Sequence, residues 1–254
     1  MRPPIRIVLT GILVFLSAGV SAHAQSITSF NVPDAFLGTT ALSINDRGEV
    51  TGYYNAHSQQ RGFIRDAQGT LTTFDVPGSG GTAAESINNR GEVTGNYFDR
   101  VTVLIRGFIR DARGTFTTFA VPPGSMGSIF TAPRSINEPG AVTGQYLDGA
   151  AHSHSFIRDG RGTLTAFDPP GSPSSLATSI NNRGEVTGTY VGGQVTGKAF
   201  QHGFIRDARG TFTTFDPPGS TFFASPQSIN NRGEVTGWYS TDGMGNRGFI
   251  RDAH

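Results

Sequence analysis

Asp148, His152 and His154 fall in one short stretch, and a His-x-His pair beside a carboxylate can chelate a metal. Short histidine clusters are also common in surface loops, and we read this one as such and expect no metal. Gly192-Gly193-Gln194-Val195-Thr196-Gly197-Lys198 matches most of a phosphate-binding loop. It then places Ala199 where a magnesium-holding hydroxyl is needed, and it lies between two strand-like segments rather than before a helix. Ser125 and Ser220 sit in Gly/Pro-rich stretches, not in a G-x-S-x-G elbow, so no nucleophilic triad is visible. Glycoside hydrolysis needs two carboxylates flanking one bond. Asp99, Asp148 and Asp242 stand in variable segments where such a pair could be built. Aromatic side chains are more regular: Tyr54, Tyr97, Tyr146, Tyr190 and Tyr239 recur at one position, with Trp238 beside the last. A ring of tyrosines can stack sugars; equally, it can pack between sheets with its hydroxyls at the rim, the reading we favour.

The chain that must position these groups has 254 residues, 20 Lys+Arg, 19 Asp+Glu and no Cys. Absence of cysteine excludes a disulfide scaffold, a thiolate metal site and a cysteine nucleophile. A net charge of +1 leaves no electrostatic footprint for nucleic acid. Arg2 and Arg6, an apolar run over 7–20 and the site Ala22-His23-Ala24 read as a signal peptide over residues 1–24. The run is too short for a membrane span of roughly 20 residues. We therefore expect a secreted or periplasmic chain from Gln25 to His254, cleaved after Ala24, with no membrane span.

The remainder repeats itself. Ser-Ile-Asn begins at Ser43, Ser86, Ser135, Ser179 and Ser228, and Phe-Ile-Arg-Asp at Phe63, Phe108, Phe156, Phe204 and Phe249. A fixed period in this range means a solenoid, a propeller or an array. Each unit reads as four short strands rich in Thr, Val, Ile, Phe and Tyr. Tight turns opened by Asn or Asp and closed by Gly join the first strand to the second and the third to the fourth, as in Asn88-Asn89-Arg90-Gly91 and Asp111-Ala112-Arg113-Gly114. The last unit stops where its fourth strand should begin, while residues 26–32 look like a lone fourth strand. The expected fold is all-β: a single five-bladed β-propeller of four-stranded blades over 25–254. Its units lie near 39–76, 82–121, 131–168, 176–216 and 225–254, the last completed by strand 26–32, which closes the ring.

Recurrent residues have structural readings within that frame. Glu49, Glu92, Glu185 and Glu234 are expected to pair across strands with the arginines of Phe-Ile-Arg-Asp. Gly52, Gly95, Gly144, Gly188 and Gly237 sit inside strands, marking bulges or a close neighbour. With strand one innermost, Leu42, Glu85, Arg134, Thr178 and Gln227 stand near the axis, and only one of these is acidic. Both tight turns of a unit fall on one face, and the variable connections on the other, where Tyr53, Phe98, Phe130, Phe222, Phe223 and Trp238 cluster.

The paired motif Ser-Ile-Asn-Asn-Arg-Gly-Glu-Val-Thr-Gly and Gly-Phe-Ile-Arg-Asp-Ala-Arg-Gly-Thr-Phe-Thr-Thr-Phe resembles the bacterial extracellular HAF-repeat family across all five units. This chain carries Gly-Phe or Ser-Phe where that family often has Ala-Phe. The resemblance implies export and a repeat architecture, and brings no catalytic residues. Together these features predict an exported, non-enzymatic binding module with no cofactor, recognising carbohydrate or a cell-surface polymer through its variable face, with Tyr54, Tyr97, Tyr146, Tyr190, Trp238 and Tyr239 as candidate contacts. The alternatives are a polysaccharide hydrolase or lyase, and a purely structural exported protein.

Overall fold

β-branched and aromatic residues between Asx-to-Gly turns produce strands throughout. The computed structural model describes residues 27–121, 130–195, 198–221, 223–241 and 245–253. The first unit holds β1 (Thr39–Ile44), β2 (Val50–Asn55), β3 (Gln60–Arg65) and β4 (Leu71–Phe74). The second holds β5 (Ser79–Ile87), β6 (Val93–Asp99), β7 (Leu104–Arg110) and β8 (Phe116–Phe119). The third holds β9 (Phe130–Ile136), β10 (Val142–Leu147), β11 (Ser153–Arg158) and β12 (Leu164–Phe167). The fourth holds β13 (Ser174–Ile180), β14 (Val186–Val195), β15 (Lys198–Arg206) and β16 (Phe212–Phe215), and the fifth β17 (Phe223–Ile229), β18 (Val235–Ser240) and β19 (Asn246–Arg251). Within each unit, strands pair antiparallel in chain order. Single parallel bridges, Ile105 to Phe130 and Gln201 to Phe223, join the second unit to the third and the fourth to the fifth.

The turns follow their sequence chemistry. Asn45 Oδ1 accepts from the backbone N–H of Arg47 and Glu49, and Gly48 takes φ +76°. That left-handed position is open to glycine at little steric cost. In each first strand a one-residue bulge falls at Leu42, Glu85, Arg134, Thr178 or Gln227. Opposite the bulge lies the glycine of Val-Thr-Gly. A Cβ at Gly95 would strike the carbonyl oxygen of Ala83, and one at Gly188 that of Leu176. Bulge and close neighbour are thus one feature.

First strands of successive units touch, so they form one row, β1, β5, β9, β13 and β17. Their turns run a hydrogen-bonded ladder along it. Asn45 Nδ2 donates to the carbonyl of Asn88, Asn88 to that of Asn137, Asn137 to that of Asn181, and Asn181 to that of Asn230, at 2.9–3.0 Å. The five turns line one axial cavity of ≈260 Å³. Between units the core is apolar: Phe74, Val76, Ile87, Val93 and Phe108 at the first junction, with the same positions repeated at the second and all but that of Val76 at the third.

Three expectations change. The closure expected from residues 26–32 is not formed in this structure: residues 27–32 form no strand, residue 26 lies outside the described residues, and β19 pairs with β18. Correspondingly, Ile44 is 68% exposed although Ile87, its equivalent in the second unit, is 5%, and Ile250 is 78% exposed. Second, Glu92 and Glu185 pair with Arg90 and Arg183 of their own turns, not with the arginines that end the third strands. The register sets Arg110 opposite Val93, and its guanidinium lies over Phe74 of the preceding unit at 5.0 Å. Third, β14 and β15 form a longer hairpin than expected. Residues 192–195 continue a strand, so the phosphate-loop match has no helix to serve.

Asn31–His254 forms one compact unit. Of Met1–Phe30, only residues 27–30 are described, and the expected signal peptide lies outside them. Among the described residues no helix is long and apolar enough to cross a membrane.

Candidate functional site

The tyrosine row is built by register. Two residues past the strand glycine, each tyrosine stands opposite a basic residue of the third strand: Tyr54 and Arg61, Tyr97 and Arg106, Tyr146 and His154, Tyr190 and His202, Tyr239 and Arg247. Tyr146 and His154 rings lie 5.2 Å apart, as do those of Tyr190 and His202. An aspartate just after the fourth strand completes the set: Arg61 Nε to Asp75 at 2.7 Å, His154 Nδ1 to Asp168 at 2.7 Å, His202 Nδ1 to Asp216 at 2.8 Å. Tyr54 and Tyr97 are buried in the core at 1% and 8% exposure, so their rings are closed to a ligand. Tyr146, Tyr190, Tyr239 and Trp238 are half-buried, and Trp238 packs edge-on to Phe223 at 5.1 Å.

Electrostatics concentrate at His154. Burial opposes its charge, but bonds to Asp168 and Asp148 outweigh that and hold its pKa above the ordinary histidine range. Asp148 itself lies below the usual carboxylate range, chiefly through the backbone N–H of His152. Asp168 Oδ1 continues to Ser175 Oγ at 2.6 Å, and Ser175 to Ser155 at 2.7 Å. Both serines are buried, and Ser175 bonds the aspartate oxygen that does not face the imidazole, so this network orients rather than attacks. Among the described residues no group of three or more His, Cys, Asp or Glu is placed to hold a metal ion.

Of the bulge positions along the row of first strands only Glu85 is acidic. Burial raises its pKa, partly countered by Arg134 at 3.7 Å. One carboxylate at that level is not the pair that two-carboxylate hydrolysis requires. Asp99 is held by the Thr102 hydroxyl and by Arg106 at 2.8 Å, which shape its loop. Asp242 and Phe222 lie outside the described residues.

The loop-bearing face exposes apolar groups. Phe36 and His57 stack at 4.5 Å, with Phe36 60% and Leu37 73% exposed. Phe36 N–H bonds the Asn55 carbonyl, which seats the connector on the β2–β3 hairpin. From the second unit, Arg100 reaches Gln59 at 3.2 Å, setting exposed Val101 and Val103 on the neighbouring loop. Sequence reasoning missed Phe36 and Leu37 because they stand in a connector outside every recurrent motif. The turn-bearing face differs: its turn asparagines are consumed by the ladder and turn bonds.

No family model matches the chain, and no curated protein matches it. Solved structures do. The β-propeller domain of the Trilobed protease from Pyrococcus furiosus is similar with a TM-score of 0.57 at 11% identity, over 84% of this chain and 69% of that one. A streptogramin B lyase is similar at 0.50 and 16% identity, over 86% and 70%. SapL1 lectin, in a complex with alpha methyl fucoside, is similar at 0.50 and 14% identity, over 85% and 78%. These likenesses concern the fold, which is a β-propeller.

Proposed function

We propose that the chain is an exported five-bladed β-propeller that binds a glycan or cell-surface polymer through its loop-bearing face. The observation that carries this reading is the contrast between the two faces. One is a uniform, self-bonded ring of turns; the other exposes the Phe36–His57 stack, Leu37, Val101 and Val103. Exposed aromatic and apolar groups on a rigid scaffold suit the C–H faces of sugars. A lectin among proteins of similar fold is consistent with the reading. A glycan array on the mature chain, repeated with Phe36→Ala and Trp238→Ala, tests it. Binding that at least one substitution weakens by about tenfold is expected; no bound glycan, or binding indifferent to both, would end the proposal.

The closed ring belongs to the same proposal. Val32 is buried and its N–H bonds Thr39 Oγ1 at 3.0 Å, as Val76 N–H bonds Thr82 Oγ1 at 3.0 Å after β4. Residues 27–30 thus have the sequence context of a fourth strand, and β19 is a third strand without one. Transferring the β3–β4 register sets Thr28 opposite Ile250. In this cysteine-free chain, Thr28→Cys with Ile250→Cys is expected to crosslink within a monomer under mild oxidation. A crosslink found only between molecules, or none, would refute closure.

A further inference from the structure

The turn-bearing face carries three equivalent clefts where one unit meets the next, of ≈210, ≈300 and ≈260 Å³. Each combines threonines and an aspartate of one unit with the arginine that ends the third strand of the following unit: Arg110, Arg158 or Arg251. The carboxylates in these clefts are already engaged. Asp66, Asp111 and Asp207 accept from the backbone N–H of Thr70, Thr115 and Thr211 at 2.7–2.8 Å. Glu49 accepts from Asn45 Nδ2, Glu92 from Arg90 and Glu185 from Arg183.

The strand-end arginines are not neutralised in return. Arg110, Arg158 and Arg251 lie over Phe74, Phe119 and Phe215 at 5.0, 5.3 and 5.2 Å. Each gives Nη1 to a backbone carbonyl, and none has a carboxylate ion pair among the described residues. Nε of Arg110 is buried without a partner. Arg47 lines the first cleft and Arg232 the last, and neither makes a side-chain hydrogen bond or ion pair among the described residues. Guanidinium charge exceeds carboxylate charge in the clefts of Arg110 and Arg251 and balances it in that of Arg158, on a chain whose overall charge is only +1.

A guanidinium fork matches a planar carboxylate, and threonine hydroxyls beside it suit the ring hydroxyls of a sugar acid. Recurrence at three junctions, two of them adjacent, suits a polymer carrying that acid along its length, since linked sites gain avidity. We infer that these clefts bind the carboxylates of a polyuronate, a function separate from the loop face.

Calorimetric titration of the mature chain with oligogalacturonate, and with its fully methyl-esterified form, tests this. The acid is expected to bind and to weaken with salt, while the ester does not bind. Arg47→Gln with Arg232→Gln, which removes no side-chain hydrogen bond or ion pair among the described residues, is expected to weaken binding about tenfold or more, and Phe36→Ala to leave it unchanged. Arg110→Gln should act in the same direction; if that variant fails to fold, the double variant decides. Binding of neither form, equal binding of both, indifference to the double variant, or loss with Phe36→Ala would overturn the inference.

Discussion

At the scale of single residues, the tyrosine row shows how recurrence follows from packing. Each tyrosine stands opposite an Arg or His, and in three units an aspartate just past the fourth strand fixes that residue. At His154 the arrangement titrates. His154 has a folded-state pKa above its ordinary value, so it binds its proton more tightly folded than unfolded. Its stabilisation is complete below an unfolded pKa of about 6.5 and is lost as pH rises through the folded value. The melting temperature of the wild type is expected to fall across that window more steeply than that of His154→Asn, which thermal scans at stepped pH will read. Parallel curves would show that His154 carries no linked proton. Burial sets larger costs: Phe108→Ala, at a fully buried site, is expected to lose about 3–5 kcal/mol in denaturant unfolding.

Elements are governed by the bulge and the turn. Gly95 faces the Ala83 carbonyl where no Cβ fits, so Gly95→Ala must move backbone; a loss of more than about 2 kcal/mol is expected in the same assay. Asn residues of the first turns do two jobs, closing their own turn and reaching the next unit. Asn88 does both, bonding Glu92 and the Asn137 carbonyl. Asn230 bonds Glu234 and, among the described residues, reaches no further turn. Asn88→Ala is therefore expected to cost about 1–3 kcal/mol, and Asn230→Ala distinctly less. Equal losses would mean that the ladder adds nothing beyond the turn.

For the whole molecule, the question is the seam between first and last units. Ile136 is buried at 6% between neighbours, whereas Ile44 is 68% exposed. If the proposed closure holds in solution, Ile44 gains the same cover, and Ile44→Ala should cost about 2 kcal/mol or more, near the value for Ile136→Ala. A cost near zero would place Ile44 in water and leave the ring open.

The sequence by itself determined the units, their antiparallel strand order, the turn types and the strand glycines. Each depends on contacts within a few residues or across one hairpin, so Asx-to-Gly turns and alternating β-formers spell them out. It also pointed to structural roles for recurrent residues, though it paired Glu92 with the wrong arginine. What only the tertiary structure decided lies between units. Arg110 stacks on Phe74 because the next sheet packs there; Tyr54 and Tyr97 are sealed in the core because neighbouring sheets cover them; and Phe36 is displayed because a connector folds back onto the β2 end. Such contacts depend on how one twisted sheet sits against another. No local pattern encodes that, because the same repeat motif appears in the inner units, whose faces are covered, and in the outermost units, where Ile44 and Ile250 are not.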